Sequence, residues 1–428
     1  MKKLILSTLL LTLPMLASAY DIAVKNNDVM IYYRYINNNW ELEVTYKDNN
    51  YNSYSGDVNI PEKVTYKGQT LPVTSIGEKA FYECEELNSV AIPNTVTSIG
   101  RSAFENCYYL TSVNIGSSVT SIGKWAFFEC SSLTEVNLPN SVNTIGDEAF
   151  YDCYNLSSVT FGNSVNTIGG NAFCNCFSLA DVDLPNSVTT IEYGAFQCCE
   201  GLTSVTIGNS VESIGNYAFA GCSKLAWVKI GNSVKSIGFE AFCGCYELTD
   251  VNLPSSLTSI GYSAFEDCLV LKSITIPNSV ESIGEKAFQY CYGLTSVTSK
   301  MVNPFPINDN CFIEEVYNNI TLYVPNGTAG KYNETAGWSS FLYIEEKEPA
   351  VTSVNSATES IPVLISSRDG FLMVKSELEG QSVAVYTVDG KALGSAKVKG
   401  GQAIIATNQP KGTIVVVKVG ERSVKASL

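Results

Sequence analysis

A unit of 23 residues recurs ten times between Val73 and Met301, and this strict period limits the fold more than any other feature of the chain. Each copy reads L-x-x-V-x-I-[PG]-x-[ST]-V-x-S-I-G-x-x-A-F-x-x-C-x-x, and the Ile-Gly step returns from Ile76 to Ile283. A fixed period of about 20 to 50 residues indicates a solenoid, in which each copy forms one coil. A single coil buries too little apolar surface to offset the chain entropy lost on folding, so stability has to come from stacked neighbours.

Each coil contains two extended segments. In residues 110–115 apolar and polar residues alternate, which places Val113 and Ile115 inside and Ser112 and Asn114 outside a short strand. A Pro or Gly then turns the chain, and Val-x-x-Ile predicts a second extended segment on the opposite wall. Stacked copies would align these segments into parallel β-sheet. The spacing of three in Ala-Phe-x-x-Cys predicts a short helical or 3₁₀ turn between them.

Two positions depart from the repeat. Glu192 replaces the Gly that follows Ile in the other copies, and a Glu would be strained there, with local distortion of the coil, if the position requires a positive φ. Ser299 replaces an expected apolar strand residue, which indicates that the array is ending.

The segments that flank the array predict caps and a further domain. Apolar and polar residues alternate on either side of Asn37, Asn38 and Asn39, which predicts a β-hairpin that covers the first coil. Short alternating strands near 372–374, 383–388 and 414–419 predict a small all-β domain at the C-terminus. We therefore expect a signal peptide, an N-terminal β cap, a leucine-rich solenoid, a C-terminal cap, a linker and a β-sandwich-like domain at residues 1–19, 20–72, 73–301, 302–345, 346–360 and 361–428.

The repeat motif resembles the BspA-type (treponemal-class) leucine-rich repeats. The resemblance covers residues 73–301 densely, and residues 54–61 and 322–338 are similar to the segments that flank the repeats in that family. It implies a horseshoe solenoid with a parallel β-sheet. It also implies a secreted or cell-surface protein that binds other molecules, often host matrix proteins or other cells.

The C-terminal domain resembles the sorting domain of type IX secretion cargo, in residues 383–391 and 411–418. This resemblance implies export to the exterior of the outer membrane. At the other end, Lys2 and Lys3 precede an apolar run and Ala17-Ser18-Ala19, which predicts a cleavable signal peptide. No other stretch reaches the length of a membrane-spanning helix, so we expect no membrane insertion after cleavage.

Charge and composition narrow the classes of function. The formal net charge is −15 and the chain contains no His. The acidity argues against nucleic acid as a partner. The absence of His and of familiar catalytic motifs argues against an enzyme, and no cofactor and no catalytic residue are predicted. A calcium contribution is left open, because the chain is acidic but has no EF-hand-type loop.

Ten of the 14 cysteines occupy one position of the repeat. Stacked coils would place them in an inward ladder of free thiols, since parallel side chains about 4.8 Å apart suit disulfide geometry poorly. Cys174 and Cys198 lie off this register on adjacent copies, so a surface disulfide between them is an alternative. A zinc site made of Cys174, Cys176, Cys198 and Cys199 is disfavoured, because two of these belong to the ladder, and no metal site is predicted.

The outward strand positions provide the first candidate binding site. Most coils carry Ser, Thr or Asn there, whereas four coils carry larger or charged side chains. Trp is enriched in interaction hot spots. We therefore expect a concave recognition strip centred on Trp227, although a lone surface aromatic is the plainer alternative. Its candidate ligand-binding residues are Trp227, Lys229, Asp181, Asp183, Asp250 and Glu135.

Aromatic residues around the Ala-Phe step and after Cys give a second candidate, a ridge that would suit protein or carbohydrate, or rings that pack between coils. Its members are Trp125, Phe128, Tyr193, Tyr217, Phe239, Tyr262, Tyr108, Tyr154, Phe177, Tyr246 and Tyr292.

The sequence thus predicts a secreted or cell-surface, adhesin-like protein that recognises extracellular proteins of a host matrix or of other cells. A glycan- or nutrient-binding surface protein is the first alternative, and a surface spacer without a ligand is the second.

Overall fold

The computed structural model describes residues 19–48 and 51–347 and, in the C-terminal part, residues 364–368, 371–375, 380, 382–387, 391–399, 402–407, 413–419 and 422–427. Packing divides the chain into two units, residues 1–349 and 350–428, which are described separately. Residues 1–18 of the predicted signal peptide and residues 348–360 of the predicted linker lie outside the described residues.

One parallel ladder, here called the Ile ladder, extends along the whole array. Its strands end in the repeated Ile, and each Ile pairs in register with the Ile of the next coil, as Ile122 does with Ile145. The second extended segment of the repeat is therefore confirmed. The strands are Gln69–Ile76, Ser98–Ile99, Ser121–Ile122, Thr144–Ile145, Thr167–Ile168, Thr190–Ile191, Ser213–Ile214, Ser236–Ile237, Ser259–Ile260 and Ser282–Ile283.

The Leu-x-x-Val-x-Ile segments form the opposite wall, here called the strand face. Coils pair in parallel and in register, and hydrogen bonding divides the face into several short sheets. In Glu135–Asn137 and Asp181–Asp183 the central Val is buried and its two neighbours are exposed, as the alternation predicts, whereas Val113 of Ser112–Asn114 is half-buried. The strands are Gly56–Asn59, Leu87–Ala91, Ser112–Asn114, Glu135–Asn137, Ser158–Thr160, Asp181–Asp183, Ser204–Thr206, Trp227–Lys229, Asp250–Val251, Ser273–Ile276 and Ser296–Ser299.

The predicted helical turn at Ala-Phe-x-x-Cys is wrong. In the first coil, Lys79 and Glu83 take positive φ values of 58° and 55°, and the equivalent residues of later coils do the same. Backbone N–H groups of Lys79, Phe81 and Glu83 donate to carbonyl oxygens of the next coil, at 3.0, 2.7 and 2.8 Å. The segment is thus a chain of tight turns that forms a third ladder between coils.

Two columns of identical side chains, Phe and Cys, extend through the core beside the buried Leu, Val, Ile and Ala of each repeat. The repeated Phe rings stack from Phe81 to Phe312 with centroids 4.7 to 5.5 Å apart, and all of those within the repeats are fully buried. Beside them lie the repeated cysteines as free thiols, which confirms the inward ladder. The Cys107 thiol donates to the Phe81 carbonyl oxygen at 3.0 Å, and this bond recurs in each coil up to Cys291.

The N-terminal cap contains the predicted hairpin and more. Its antiparallel strands Ile22–Asn26, Val29–Ile36 and Glu41–Thr45 form a meander that turns at the three Asn residues, all with positive φ. Glu41–Thr45 then pairs in parallel with the first strand of the Ile ladder, and Lys63–Tyr66 forms a second hairpin with the same strand. The cap therefore continues the ladder as well as covering its end.

The C-terminal cap closes the array with aromatic packing. It contains the helices Glu314–Asn319 and Ala329–Glu334, the 3₁₀ turn Trp338–Ser340, and the strands Thr321–Val324 and Tyr343–Glu346, which extend the strand face in parallel. Trp338 is fully buried and its Nε1 donates to the Phe305 carbonyl oxygen at 2.9 Å. The hydroxyl of Tyr332 lies 2.6 Å from Ser299 Oγ, so the Ser that breaks the apolar pattern has a buried partner in the cap.

The C-terminal unit is a small all-β structure, as predicted. Two antiparallel sheets enclose one apolar core that includes Leu372, Val385 and Val417. The strands of the first sheet are Leu364–Arg368, Phe371–Lys375 and Gln402–Ala406, and those of the second are Ser382–Thr387, Ala392–Lys397, Ile414–Val419 and Arg422–Ser427.

Close approach of the neighbouring coil, and not a positive φ, favours the Gly that follows nine of the ten repeated Ile residues, so the expected reason for strain at Glu192 is wrong. A Cβ on Gly146 would lie 2.6 Å from the Lys124 amide nitrogen and 2.7 Å from the Gly123 carbonyl carbon. Glu192 does carry a Cβ at this position, and its coil keeps the register of the Ile ladder with one lengthened hydrogen bond. The N–H of Glu192 lies 3.3 Å from the Ile168 carbonyl oxygen, whereas the equivalent bond of Gly215 is 2.9 Å.

We expect Gly146→Ala to lower the free energy of unfolding by about 1–3 kcal/mol, because the added methyl overpacks the backbone of the preceding coil. Gly170→Ala is the matched control, since its Cβ would meet no atom closer than 3.5 Å and its φ is ordinary. That change is expected to be neutral or to stabilise by up to about 1 kcal/mol. Urea denaturation followed by circular dichroism measures both, and equal effects would contradict the close-approach explanation.

Candidate functional site

Four neighbouring strands of the strand face bring five of the six predicted ligand-binding residues into one sheet. Asp181, Ser204, Trp227 and Asp250 form one outward row, in register on successive strands. Asp183, Thr206 and Lys229 form the second row. With strands about 4.8 Å apart, the Cα atoms of Asp181 and Trp227 are separated by about 10 Å. These two rows are called the strip below.

Trp227 is the large apolar side chain of the strip, and 48% of its surface is exposed. Its neighbours on the row are Ser204 and Asp250, which are too short to cover an indole ring. Trp125 differs, because the Arg101 guanidinium and the Lys124 ammonium lie 4.4 and 4.6 Å from its ring centre. The indole of Trp227 is therefore available to a partner.

The charged residues of the strip are held on a rigid frame. The Ser204 hydroxyl donates to Asp181 Oδ1 across the two strands, which fixes that carboxylate on the sheet. Asp183 and Lys229 are both exposed, on either side of Thr206. The strip thus presents one aromatic ring, one cation and three carboxylates on backbone that is hydrogen-bonded between coils.

A cavity of about 500 Å³ adjoins the second row of the strip. Asp183, Thr206 and Lys229 line one side, and the loops that follow the strands line the other. In these loops the N–H of Asn209 donates to Asn186 Oδ1 at 2.8 Å, and the bond recurs between other coils. The only sign of these hydrogen bonds in the sequence is the recurrence of Asn after Pro or Gly. The Asn side chains were not among the residues predicted for the site.

Glu135 does not join the other predicted residues. It lies on a separate two-stranded ladder with Ser158–Thr160, four coils before Trp227, which corresponds to roughly 19 Å. The sequence also missed Trp40, which follows the Asn turn of the N-terminal cap and is 70% exposed.

The predicted aromatic ridge is divided into separate groups. Tyr193, Tyr217, Phe239 and Tyr262 form one row along four coils, with ring centroids 4.9 to 5.2 Å apart. Elsewhere the rings form pairs, such as Tyr154 with Phe177 at 5.2 Å. Within the row only Phe239 and Tyr262 are stacked, whereas the other two pairs are tilted by 53 to 57°. The exposed members of the predicted ridge are Tyr154, Phe177, Tyr193, Tyr246 and Tyr292.

The off-register cysteines form no disulfide. Cys174 is a buried free thiol, and Cys198 and Cys243 are half-buried free thiols, so the alternative of a Cys174–Cys198 bond is wrong. In the part of the chain that the structure describes, no three His, Cys, Asp or Glu side chains are grouped so that they could hold a metal ion.

Stacked coils with a repeated Leu, a parallel strand face and buried Phe and Cys columns define a leucine-rich repeat solenoid. The model of the BspA type leucine-rich repeat region matches residues 57–180 and 189–321, in six copies. These ranges span more than half of the chain, which therefore belongs to the BspA-type leucine-rich repeat family.

Solved structures of bacterial leucine-rich repeat proteins are similar to this chain. A leucine-rich repeat protein from Bacteroides ovatus is 26% identical over 77% of this chain and 100% of its own, with a TM-score of 0.37. A leucine-rich repeat protein of T. pallidum is 30% identical over 51% of this chain and 88% of its own, with a TM-score of 0.38. A leucine-rich cell surface protein from Faecalibacterium prausnitzii is 25% identical over 74% and 98%, with a TM-score of 0.31. No curated protein matches the chain.

Proposed function

We propose that the protein is an adhesin-like surface protein that binds extracellular polypeptides through the strip. The observation that carries this proposal is the half-exposed Trp227 in a row of otherwise short polar side chains, beside a cavity that Asp183 and Lys229 line. Trp contributes large binding energies at protein interfaces, and charged residues around such an anchor select the partner.

The frame of the strip favours recognition of a macromolecule. Strands locked between neighbouring coils lose little conformational entropy on binding, so contact energy is retained as affinity. Carboxylates outnumber cations on the strip and in the chain, whose net charge is −15, which favours a partner with a basic surface.

Export to the cell surface is part of the same proposal. Membership of the BspA-type family and the signal-peptide pattern of residues 1–19 support it, and the resemblance of residues 361–428 to type IX sorting domains gives a route. Among the described residues, no helix has the length and apolar character needed to cross a membrane.

Glycan binding is a less favoured function. The row from Tyr193 to Tyr262 is the feature that would support it, because sugars stack on aromatic faces. In this row, however, Tyr193 and Tyr217 are tilted by 57° and Tyr217 and Phe239 by 53°, so the rings do not form one flat platform for a saccharide chain.

We expect Trp227→Ala to weaken binding of a matrix protein at least tenfold, as loss of a central aromatic anchor does. Surface plasmon resonance with the purified full chain and a panel of immobilised matrix proteins measures this affinity. Trp40→Ala is the matched control, since it removes an exposed Trp far from the strip and should leave affinity unchanged. The proposal fails if no matrix protein binds, or if both substitutions have the same effect.

A further inference from the structure

A slot interrupts the row of side chains that follow the Ile ladder. In successive coils the residue two positions after the repeated Ile is Lys124, Asp147, Gly170 and Tyr193. Gly170 has no side chain, so only its backbone lies between Asp147 and Tyr193, which are about 10 Å apart along the array. The Gly170 N–H donates to Asp147 Oδ1 at 3.1 Å and so holds that carboxylate at the edge of the slot. A cavity of about 520 Å³ occupies this place, with Asp147, Gly170, Glu192 and Tyr193 among its lining residues.

The Tyr193 ring forms one wall of this slot. It is the first ring of the row that continues to Tyr217, Phe239 and Tyr262, and 49% of its surface is exposed. Tyr217 covers one side of the ring at 5.2 Å, whereas Gly170 leaves the other side open. A flat group about 3.5 Å thick can therefore enter between the Tyr193 ring and the Asp147 carboxylate that lies on Gly170.

Glu192 adds a carboxylate to the slot. In the equivalent Gly positions the Cβ direction leads onto the preceding coil, as it does from Gly146 onto Lys124 and Gly123. The side chain of Glu192 accordingly starts above Gly169 and Gly170 and lines the cavity. It is exposed, and within residues 19–48 and 51–347 it makes no ion pair.

The charge of the slot is negative. The Lys124 ammonium lies 3.3 Å from the Glu148 carboxylate and 3.8 Å from the Asp147 carboxylate, so one cation forms ion pairs with two carboxylates. Glu192 brings a third acid without a matching base, and all four residues line the cavity. A ligand that brings a positive charge would relieve this imbalance, whereas a neutral one would not.

The same side of the solenoid already contains the pairing that such a ligand would make. The Arg101 guanidinium lies 4.4 Å from the centre of the Trp125 ring, in coils before the slot. A guanidinium is planar, stacks on aromatic rings and donates to two carboxylates at once, which a lysine ammonium cannot do.

We propose that the slot binds an arginine side chain of a polypeptide partner, with the guanidinium against the Tyr193 ring and paired with the Glu192 and Asp147 carboxylates. This site is separate from the strip, and it rests on the proposed function only in taking a polypeptide as the partner. It gives the solenoid a second point of contact, on the side of the Ile ladder.

The experiment titrates the full chain with three blocked tripeptides, Gly-Arg-Gly, Gly-Lys-Gly and Gly-citrulline-Gly, followed by saturation-transfer NMR. Citrulline matches arginine in shape but has no charge. We expect the arginine peptide to bind at least fivefold more tightly than the other two. Glu192→Gln should weaken it at least fivefold, and Gly170→Phe should abolish binding by filling the slot.

Trp227→Ala separates this proposal from the proposed function, because it should leave the peptide affinity unchanged. Thermal melting of each variant shows whether the fold is retained, and Glu192→Gln changes only an exposed side chain. The proposal is overturned if the arginine peptide does not bind, if citrulline binds equally well, or if Glu192→Gln has no effect. Binding of maltotriose that Gly170→Phe abolishes would overturn it in favour of a saccharide site.

Discussion

The repeat array is expected to unfold cooperatively when the pH is raised towards about 10 under reducing conditions. Burial raises the pKa of eight ladder thiols, to about 11 for Cys84 and further for those inside the array. In the unfolded chain a cysteine ionises near pH 8.5. Below that pH both states keep the proton, so the thiols do not make stability depend on pH.

Above pH 8.5 the unfolded state releases protons that the folded state retains, so stability falls with rising pH. Each thiol contributes about 1.4 kcal/mol per pH unit, and eight contribute roughly 11. The free energy of unfolding of a folded domain is about 5–15 kcal/mol in total. A rise of one to one and a half pH units above 8.5 therefore suffices to unfold the array.

Far-UV circular dichroism against pH, combined with urea titrations at fixed pH, measures this loss. A Cys153→Ala/Cys176→Ala variant is the control, because its stability should fall with pH less steeply by about 2.7 kcal/mol per unit. If repulsion between surface charges caused the loss of stability instead, the variant and the original chain would lose stability with pH at the same rate. A stability that stays constant up to pH 11 would contradict the assignment of the ladder as buried, protonated thiols.

Phe173→Ala is expected to destabilise the array by about 3–5 kcal/mol, which corresponds to a fall in melting temperature of roughly 5–10 °C. Phe173 is fully buried, with the rings of Phe150 and Phe196 stacked on it at 5.1 and 5.3 Å. The substitution leaves a cavity in the middle of the column and removes both stacking contacts.

Phe128→Ala is the matched control for that substitution. Phe128 is half-buried and stacks on Tyr151 at 5.1 Å, outside the buried column. We expect Phe128→Ala to lower the free energy of unfolding by less than about 1.5 kcal/mol, because solvent already reaches this side chain. Differential scanning calorimetry compares the two, and losses of equal size would show that the buried column has no special role.

The sequence predicts the core and both extended walls because the repeat reveals which positions are buried. A residue that is apolar in every copy, such as the Phe or Cys, has to lie inside, since only the inside is the same in each coil. Successive side chains of a strand point to opposite faces. Alternation around Val182 and Val228 therefore suffices to place Asp181, Asp183, Trp227 and Lys229 outward, as the strands have them.

The turn conformations could not be predicted in the same way. Their left-handed positions are occupied by Lys79, Glu83, Trp125 and Tyr217, among others, and such residues carry no preference for positive φ. Ladder bonds between coils impose the conformation. The role of Gly146 was also misjudged, because close approach to a neighbouring coil is visible only once the coils are stacked.

The slot at Gly170 becomes visible only when equivalent positions of neighbouring coils are compared. Glu192 is visible in the sequence as an exception to the Ile-Gly rule, and Gly170 as a small residue at a variable position. Their proximity follows from stacking, which places residue 192 directly after residue 169 along the array. Trp40 gave no signal, because its exposure depends on how the Asn turn leaves the cap.

Site-specific photo-crosslinking tests most directly whether partners bind on the strand face. Benzoylphenylalanine is placed at Asn252, which is exposed beside the strip, or at Ser282, which is exposed on the Ile ladder four coils beyond Tyr193. With a matrix protein that binds the full chain, position 252 should crosslink efficiently and position 282 should not. Equal crosslinking from both positions, or crosslinking from position 282 alone, would contradict recognition through the strip.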